Sequence, residues 1–218
     1  MKQERSKRTF ERILEAAAEQ FAAHGYAHTT IADVAARIGM TKGALYGHFA
    51  SKDDLGAAMN RHGAEAWQAI RDGSGADPVG AVLDPVGAVT LRLGRRLATD
   101  IRLRAAYRLA ADALLSDEQA ATAAGERLPP DCNLLLEIQE HLNELVRLAQ
   151  RSGDITQSYS AADITEMLLA FVAAVRSATL KSSGIDPVAW METVWQMTWG
   201  ALARETGQAV RAPDGALR

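Results

Sequence analysis

Apolar residues recur at helical spacing in segment after segment of the chain, which predicts an all-α fold of about nine helices. Phe10, Ile13, Leu14, Ala17 and Phe21 form the stripe of a first helix over about Ser6 to Ala23, stopped by Gly25. Thr30 with Asp33 opens a short second helix whose apolar side is Ile31, Val34, Ala35 and Ile38; Gly39 breaks it. Thr41 can cap a third. Ser51 with Asp54 repeats the start signal for a fourth, running past Leu55, Met59 and Ala66 to about Ile70. The stretch from Arg71 to Val89 is irregular and holds DPVGAV twice, each copy offering an Asp cap followed by Pro. From Ala88 to Leu115 the pattern is again helical, and residues 116–131, with Gly125 and Pro129-Pro130, read as a loop. A helix over Cys132 to Ser152 ends at Gly153, one more starts at Ser160 with Asp163, and Asp186-Pro187 starts the last.

The last two helices are apolar on more than one side. Trp190, Val194, Met197 and Ala201 form one row, and Met191, Trp195, Thr198 and Leu202 another. A surface helix needs one apolar face, so two imply burial on both sides, in a four-helix dimer interface or in a monomer core. Small residues at Ala170, Ala173, Ala174 and Ala178 permit close helix packing.

Two short helices joined by a tight turn, with a third following, are the geometry of a helix-turn-helix, whose second helix enters the DNA major groove. Thr41 and Lys42 stand at the start of that helix, where side chains and backbone N–H groups reach bases and phosphates. Gly43 and Ala44 are small enough for a close approach to the groove wall. Tyr46 and His48 carry a polar tip on an apolar body, and Lys52 can add a phosphate contact. Leu45 and Phe49 belong instead to the small core of the unit. Thr29 and Thr30 complete the expected DNA-contact set.

Charge sharpens this division. The chain as a whole carries −3, but residues 1–62 hold nine Lys and Arg against seven Asp and Glu, a net of +2 with four histidines, leaving −5 for residues 63–218. Lys2, Arg5, Lys7 and Arg8 form a basic arm ahead of the first helix, either reaching the adjacent groove or solvated at a frayed terminus. Arg92, Arg95, Arg96, Arg102, Arg104 and Arg108 are better explained as a solvated face pairing with Asp100, Asp112 and other acids than as a second DNA surface.

The segment TKGALYGHFASKDDL, with FERILEAAAEQFAAHGYAHTTIADVAARIGM upstream, resembles the signature of the TetR-family repressors, and within that family the γ-butyrolactone autoregulator receptors. The match covers about the first 60 residues closely; beyond them only helical layout and length agree. Gly47 stands where those receptors usually place Phe. The resemblance implies a helix-turn-helix domain over residues 1–52 and a ligand-binding and dimerisation domain over 53–218. It implies a homodimer, joined through the last two helices, that represses from a palindromic double-stranded operator and is released by a small amphipathic effector. That effector would be a butyrolactone-type signal or an antibiotic, in control of secondary metabolism or of the protein's own signalling. The alternative is a repressor of an efflux pump sensing a toxic compound. The lactone receptors place a tryptophan against the ligand from the helix equivalent to residues 132–152, which has none here. Candidate cavity residues are Trp67, Leu91, Tyr107, Leu114, Leu135, Ile138, Met167 and Phe171.

Other functions find little footing. There is no phosphate-cradling glycine motif, HExxH, GxSxG or Cys/His nucleophile pair, so no enzyme is expected. His24 and His28 are four apart, but Gly25 interrupts the helix between them and nothing completes a metal set; no cofactor is expected. The single Cys132 excludes an internal disulfide and reads as a packed or idle thiol. With no run of eighteen apolar residues and no apolar leader, the expectation is a cytoplasmic protein without a membrane partner.

Overall fold

The computed structural model describes residues 2–73, 84–119, 133–180 and 186–203. Among these residues there are nine helices and no named strand; one isolated bridge pairs Ile155 with Ala203. The helices are α1 (Lys2–His24), α2 (Ile31–Arg37), α3 (Lys42–Tyr46), α4 (Lys52–Arg71), α5 (Pro85–Thr99), α6 (Ile101–Gln119), α7 (Leu134–Ser152), α8 (Ala161–Leu180) and α9 (Pro187–Leu202). The all-α expectation holds. Cys132, the first DPVGAV copy and the Gly125 to Pro130 segment lie outside the described residues.

Most helix starts are the capped ones the residues imply. Asp84 accepts from Gly87 N at 3.0 Å with Pro85 behind it, so the second DPVGAV copy opens α5. Ser160 accepts from Asp163 N at 3.1 Å, and Asp186 from Val188 N at 2.9 Å. Each such cap satisfies a donor the helix cannot, worth about 1 kcal/mol.

The single helix expected over Ala88 to Leu115 is two helices. Asp100 leaves the helical region (φ −104°, ψ 102°), and its carboxylate accepts from the backbone N–H groups of Arg102 and Leu103, both at 3.0 Å. One Asp therefore ends α5 and caps α6 with no Gly or Pro to announce the break. α6 also runs on to Gln119, past the expected loop boundary. His62 on α4 donates to the same carboxylate at 2.8 Å, and Arg96 lies at 3.5 Å. Burial works to raise the Asp100 carboxyl, but the His62 hydrogen bond, the backbone donors and the nearby cations outweigh it and hold the group down at about 2.

The buried apolar residues form one continuous core. α4 packs on α1, α5, α6 and α7, and α5 also meets α6, α7, α8 and α9. At Gly63 a Cβ would sit 2.6 Å from Ala106 Cβ and 3.0 Å from Leu134, so only glycine lets α4 approach α6 and α7 this closely. The arginines of α5 and α6 are largely committed. Arg102 reaches Glu11 at 2.7 Å and Glu15 at 3.7 Å on α1, Arg108 binds Asp112 at 2.7 Å, and Arg95 pairs with Glu192 on α9.

Asp100→Asn keeps the side chain's size but removes the charge that His62 and Arg96 face. It should cost about 2 kcal/mol in urea unfolding near neutral pH. A depressed folded value means the stabilisation is full above the ordinary aspartate range and is lost as pH falls toward about 2. The difference between wild type and variant should shrink across that same window.

Candidate nucleic-acid interface and sensing core

α2 is short, and its ends are set by local chemistry. Thr30 Oγ1 accepts from Asp33 N at 3.2 Å while Asp33 accepts from Thr30 N at 3.0 Å, a reciprocal capping box. Hydrogen bonds from the Thr30 side chain and backbone hold the Asp33 carboxyl below the usual range. At the other end Gly39 takes φ +69°, and Met40 N bonds Ala35 O at 2.9 Å while Gly39 N bonds Ala36 O at 3.2 Å. This Schellman turn reverses the chain so that Thr41 can cap α3 through Ala44 N at 3.1 Å.

α3 turns Leu45 inward and its other residues outward. Leu45 is fully buried, and Phe49 just beyond it stacks on Phe10 of α1 with ring centroids 4.9 Å apart. Thr41, Lys42, Gly43, Ala44 and Tyr46 are exposed, and His48 is half-buried. Lys42 Nζ lies 5.7 Å from the Tyr46 ring centroid, so cation and phenol share one outward patch. Thr30 is exposed beside it.

Two members of the expected set have other work. Thr29 is fully buried and donates to Gly25 O at 2.8 Å, so its side chain ties the α1–α2 turn together and cannot reach a groove. Lys52 donates to Tyr26 O at 3.1 Å with Nζ 4.2 Å from that ring's centroid, and the Tyr26 hydroxyl bonds Asp53. Its ammonium clamps the start of α4 to the α1–α2 turn instead of standing out toward a phosphate. The basic arm is also different from expectation: residues from Lys2 onward are already the first turns of α1, with Arg8 3.9 Å from Glu4.

The expected cavity residues differ in burial. Trp67, Leu91, Tyr107 and Ile138 are buried, whereas Leu114, Leu135 and Phe171 are half-buried. Burial pushes the Tyr107 phenol up to about 12. Met167 is 39% exposed, because the buried row of α8 is Ile164, Leu168, Val172 and Val175 and Met167 lies one position off it. On α9, Met191, Trp195 and Leu202 are buried, Trp190 and Val194 are half-buried, and Met197 is 70% exposed. No helix among the described residues is long and apolar enough to cross a membrane.

A three-helix unit with a tight turn before an outward-facing second helix is a helix-turn-helix domain. Residues 13–59 match the sequence model of the bacterial regulatory proteins of the tetR family. The match covers this amino-terminal domain, which is similar to that of the tetR-family regulators. An HTH-type transcriptional repressor of Mycobacterium tuberculosis is 37% identical over 81 residues, 37% of this chain and 43% of that protein. The A-factor receptor protein of Streptomyces griseus is 43% identical over 58 residues, 27% of this chain and 21% of the receptor. The chain thus spans less than half the length of these curated relatives. Among solved structures, the TetR-family protein CprB from S. coelicolor is 27% identical with a TM-score of 0.68, covering 94% of this chain and 93% of that one. A gamma-butyrolactone receptor described as ArpA-like is 25% identical with a TM-score of 0.62, covering 93% and 92%.

The two glycines bracketing α3 should respond oppositely to alanine. Gly39→Ala forces a side chain into the left-handed region and should lose about 1 kcal/mol of unfolding free energy. Gly47 is already right-handed (φ −69°, ψ −13°), and a Cβ there meets only Ala44 O, at 3.3 Å. Gly47→Ala should gain about 0.5 kcal/mol; urea midpoints of the two variants measure both signs.

Proposed function

We propose that the chain is a ligand-responsive transcriptional repressor that binds a palindromic operator as a homodimer and is released by a small amphipathic effector. The observation that carries this reading is the outward patch of α3: Thr41, Lys42, Gly43, Ala44 and Tyr46 are exposed while Leu45 and Phe49 anchor the helix from behind. No apolar partner explains that patch, and a cation beside a phenol suits the sugar-phosphate edge of a major groove. Thr30 and His48 flank it. Acting on DNA, the protein works in the cytoplasm.

The half-buried Trp190 and Val194 and the exposed Met197 support the dimer, because they leave one apolar row of α9 uncovered within a single chain. A second copy covering this row would pair α8 and α9 of both subunits and set two recognition helices about one DNA turn apart. Likeness to the gamma-butyrolactone receptor over nearly the whole chain supports a lactone-type signal as effector, with secondary metabolism or the protein's own signalling as the controlled process.

Operator binding should fall steeply with salt in fluorescence anisotropy on the protein's own promoter fragment. Lys42→Ala should lower the salt slope by about 1, and adding Tyr46→Ala should abolish specific binding with the dimer intact in sedimentation. Indifference of the wild type to that promoter at low salt would sink the repressor reading. Met197→Lys should weaken self-association, seen as a monomer shift in the same sedimentation experiment.

A further inference from the structure

Leu45 anchors α3 from behind, and that fixes which way every other position of the helix points. Successive residues of an α-helix are turned by about 100°. Gly43 and Gly47 stand two positions either side of Leu45, so both lie on the line nearly opposite it, the outermost of the helix. Gly47 keeps this register because its backbone is still right-handed, at φ −69° and ψ −13°. The crest of α3 is therefore bare backbone. Lys42 and Tyr46 occupy one flank of it, with the ammonium 5.7 Å from the ring centroid. Ala44 occupies the other, exposed, with its N–H donated to Thr41 Oγ1 at 3.1 Å.

Nothing among the described residues calls for glycine at position 43. Its backbone is helical, not left-handed, and a Cβ there would meet no atom of the described residues within 4 Å. Glycine also weakens a helix relative to alanine, and this helix has only five residues. A constraint from outside the chain accounts for the bare crest: a surface that the backbone must approach closely, as the floor of a major groove would be. On the Ala44 flank a base is offered nothing but a methyl group. An alanine side chain neither donates nor accepts, so it cannot read a hydrogen-bond pattern. The base edges of the major groove carry one apolar feature, the C5-methyl group of thymine. Methyl against methyl is thus the complementary match for an alanine carried inward beside a bare crest.

We propose that Ala44 is a specificity-determining residue that reads the C5-methyl group of a thymine in each half-site, and that the bare Gly43–Gly47 crest lets α3 sink far enough to make that contact. The inference rests on the reading of the chain as an operator-binding repressor. It divides the work of α3 between its flanks. Lys42 and Tyr46 meet the sugar-phosphate edge, which fixes position without reading sequence, whereas Ala44 separates thymine from the other three bases. The Ala44 contact releases no counterions, so it adds discrimination without adding to the salt slope.

The protein's own promoter fragment is made twice, once with thymine throughout and once with uracil, which pairs alike but lacks the methyl group. Binding of the full chain to each is read by fluorescence anisotropy. Wild type should bind the thymine fragment roughly tenfold tighter, the worth of one buried methyl group in each of two half-sites. Ala44→Gly should bind the two fragments alike and keep the wild-type salt slope. Because that comparison is made within one variant, any loss of helix cancels. Gly43→Ala should raise the urea midpoint and yet bind the thymine fragment roughly tenfold more weakly. A glycine with no place at the groove would show the stability gain alone. Equal binding of wild type to both fragments overturns the Ala44 assignment and leaves the repressor reading standing. A thymine preference that survives in Ala44→Gly puts the methyl contact on another residue and overturns it as well. If Gly43→Ala binds as tightly as wild type, the crest does not set the depth of α3 and the inference falls. If wild type binds neither fragment, the repressor reading falls and takes this inference with it.

Discussion

One carboxylate organises the centre of the molecule. Asp100 interrupts what the apolar pattern presents as a single long helix, caps the second half, and takes a hydrogen bond from His62 on α4. α5, α6 and α4 are therefore fixed at one point, by a group that is largely buried and stays ionised because its donors outnumber what burial takes away. Without the break, one rod spanning Pro85 to Gln119 could not fold back to meet both α1 and α9. With it, α6 lies against α1 and α4, while α5 serves α7, α8 and α9.

That joint gives α4 its position as connector. Its first turn is capped by Ser51 and clamped to the α1–α2 turn by Lys52; its middle is pinned by His62 and by the close approach at Gly63. These restraints hold one helix at two places, its start and its middle, so the helix-turn-helix unit and the helical core are tied through α4. Along α7, Trp67 of α4 meets the His141 ring edge to face.

How much of this was written in the sequence varied with the range of the forces involved. Thr30, Thr41 and Ser51 act on groups three residues away, so their caps and the turn at Gly39 were readable from spacing alone. The inward placement of Leu45 and Phe49 followed from the same periodicity. Asp100 escaped notice because an aspartate inside a helical pattern also reads as a surface ion-pair partner, and only the arrival of His62 from 38 residues away settles its role. Thr29 and Lys52 misled for a related reason. A threonine and a lysine near a recognition helix suit phosphate, and nothing local reveals that Gly25 and Tyr26 carbonyls take their donors first. Met167 shows the limit of helical wheels, since one step off the buried row turns a candidate cavity residue into a surface one.

The ion pairs of α1 explain how a modest net charge can still leave a cation on the outward patch of α3. The first 62 residues carry only +2, yet three of their acids are spent away from α3. Glu11 and Glu15 are engaged by Arg102 of α6, and Glu19 pairs with Arg37 at the end of α2. These carboxylates are paired where α1 meets its neighbours, whereas Lys42 stands on the outward patch beside the Tyr46 ring. The ion pairs of α1 with the acidic carboxy-terminal portion are made by one arginine of that portion, Arg102. Lys42 is left facing solvent, where phosphates would be met. Counting charges along the chain understates this polarity, because the pairing that removes the acids depends on helices that are far apart in sequence and adjacent only once α6 has started at Asp100.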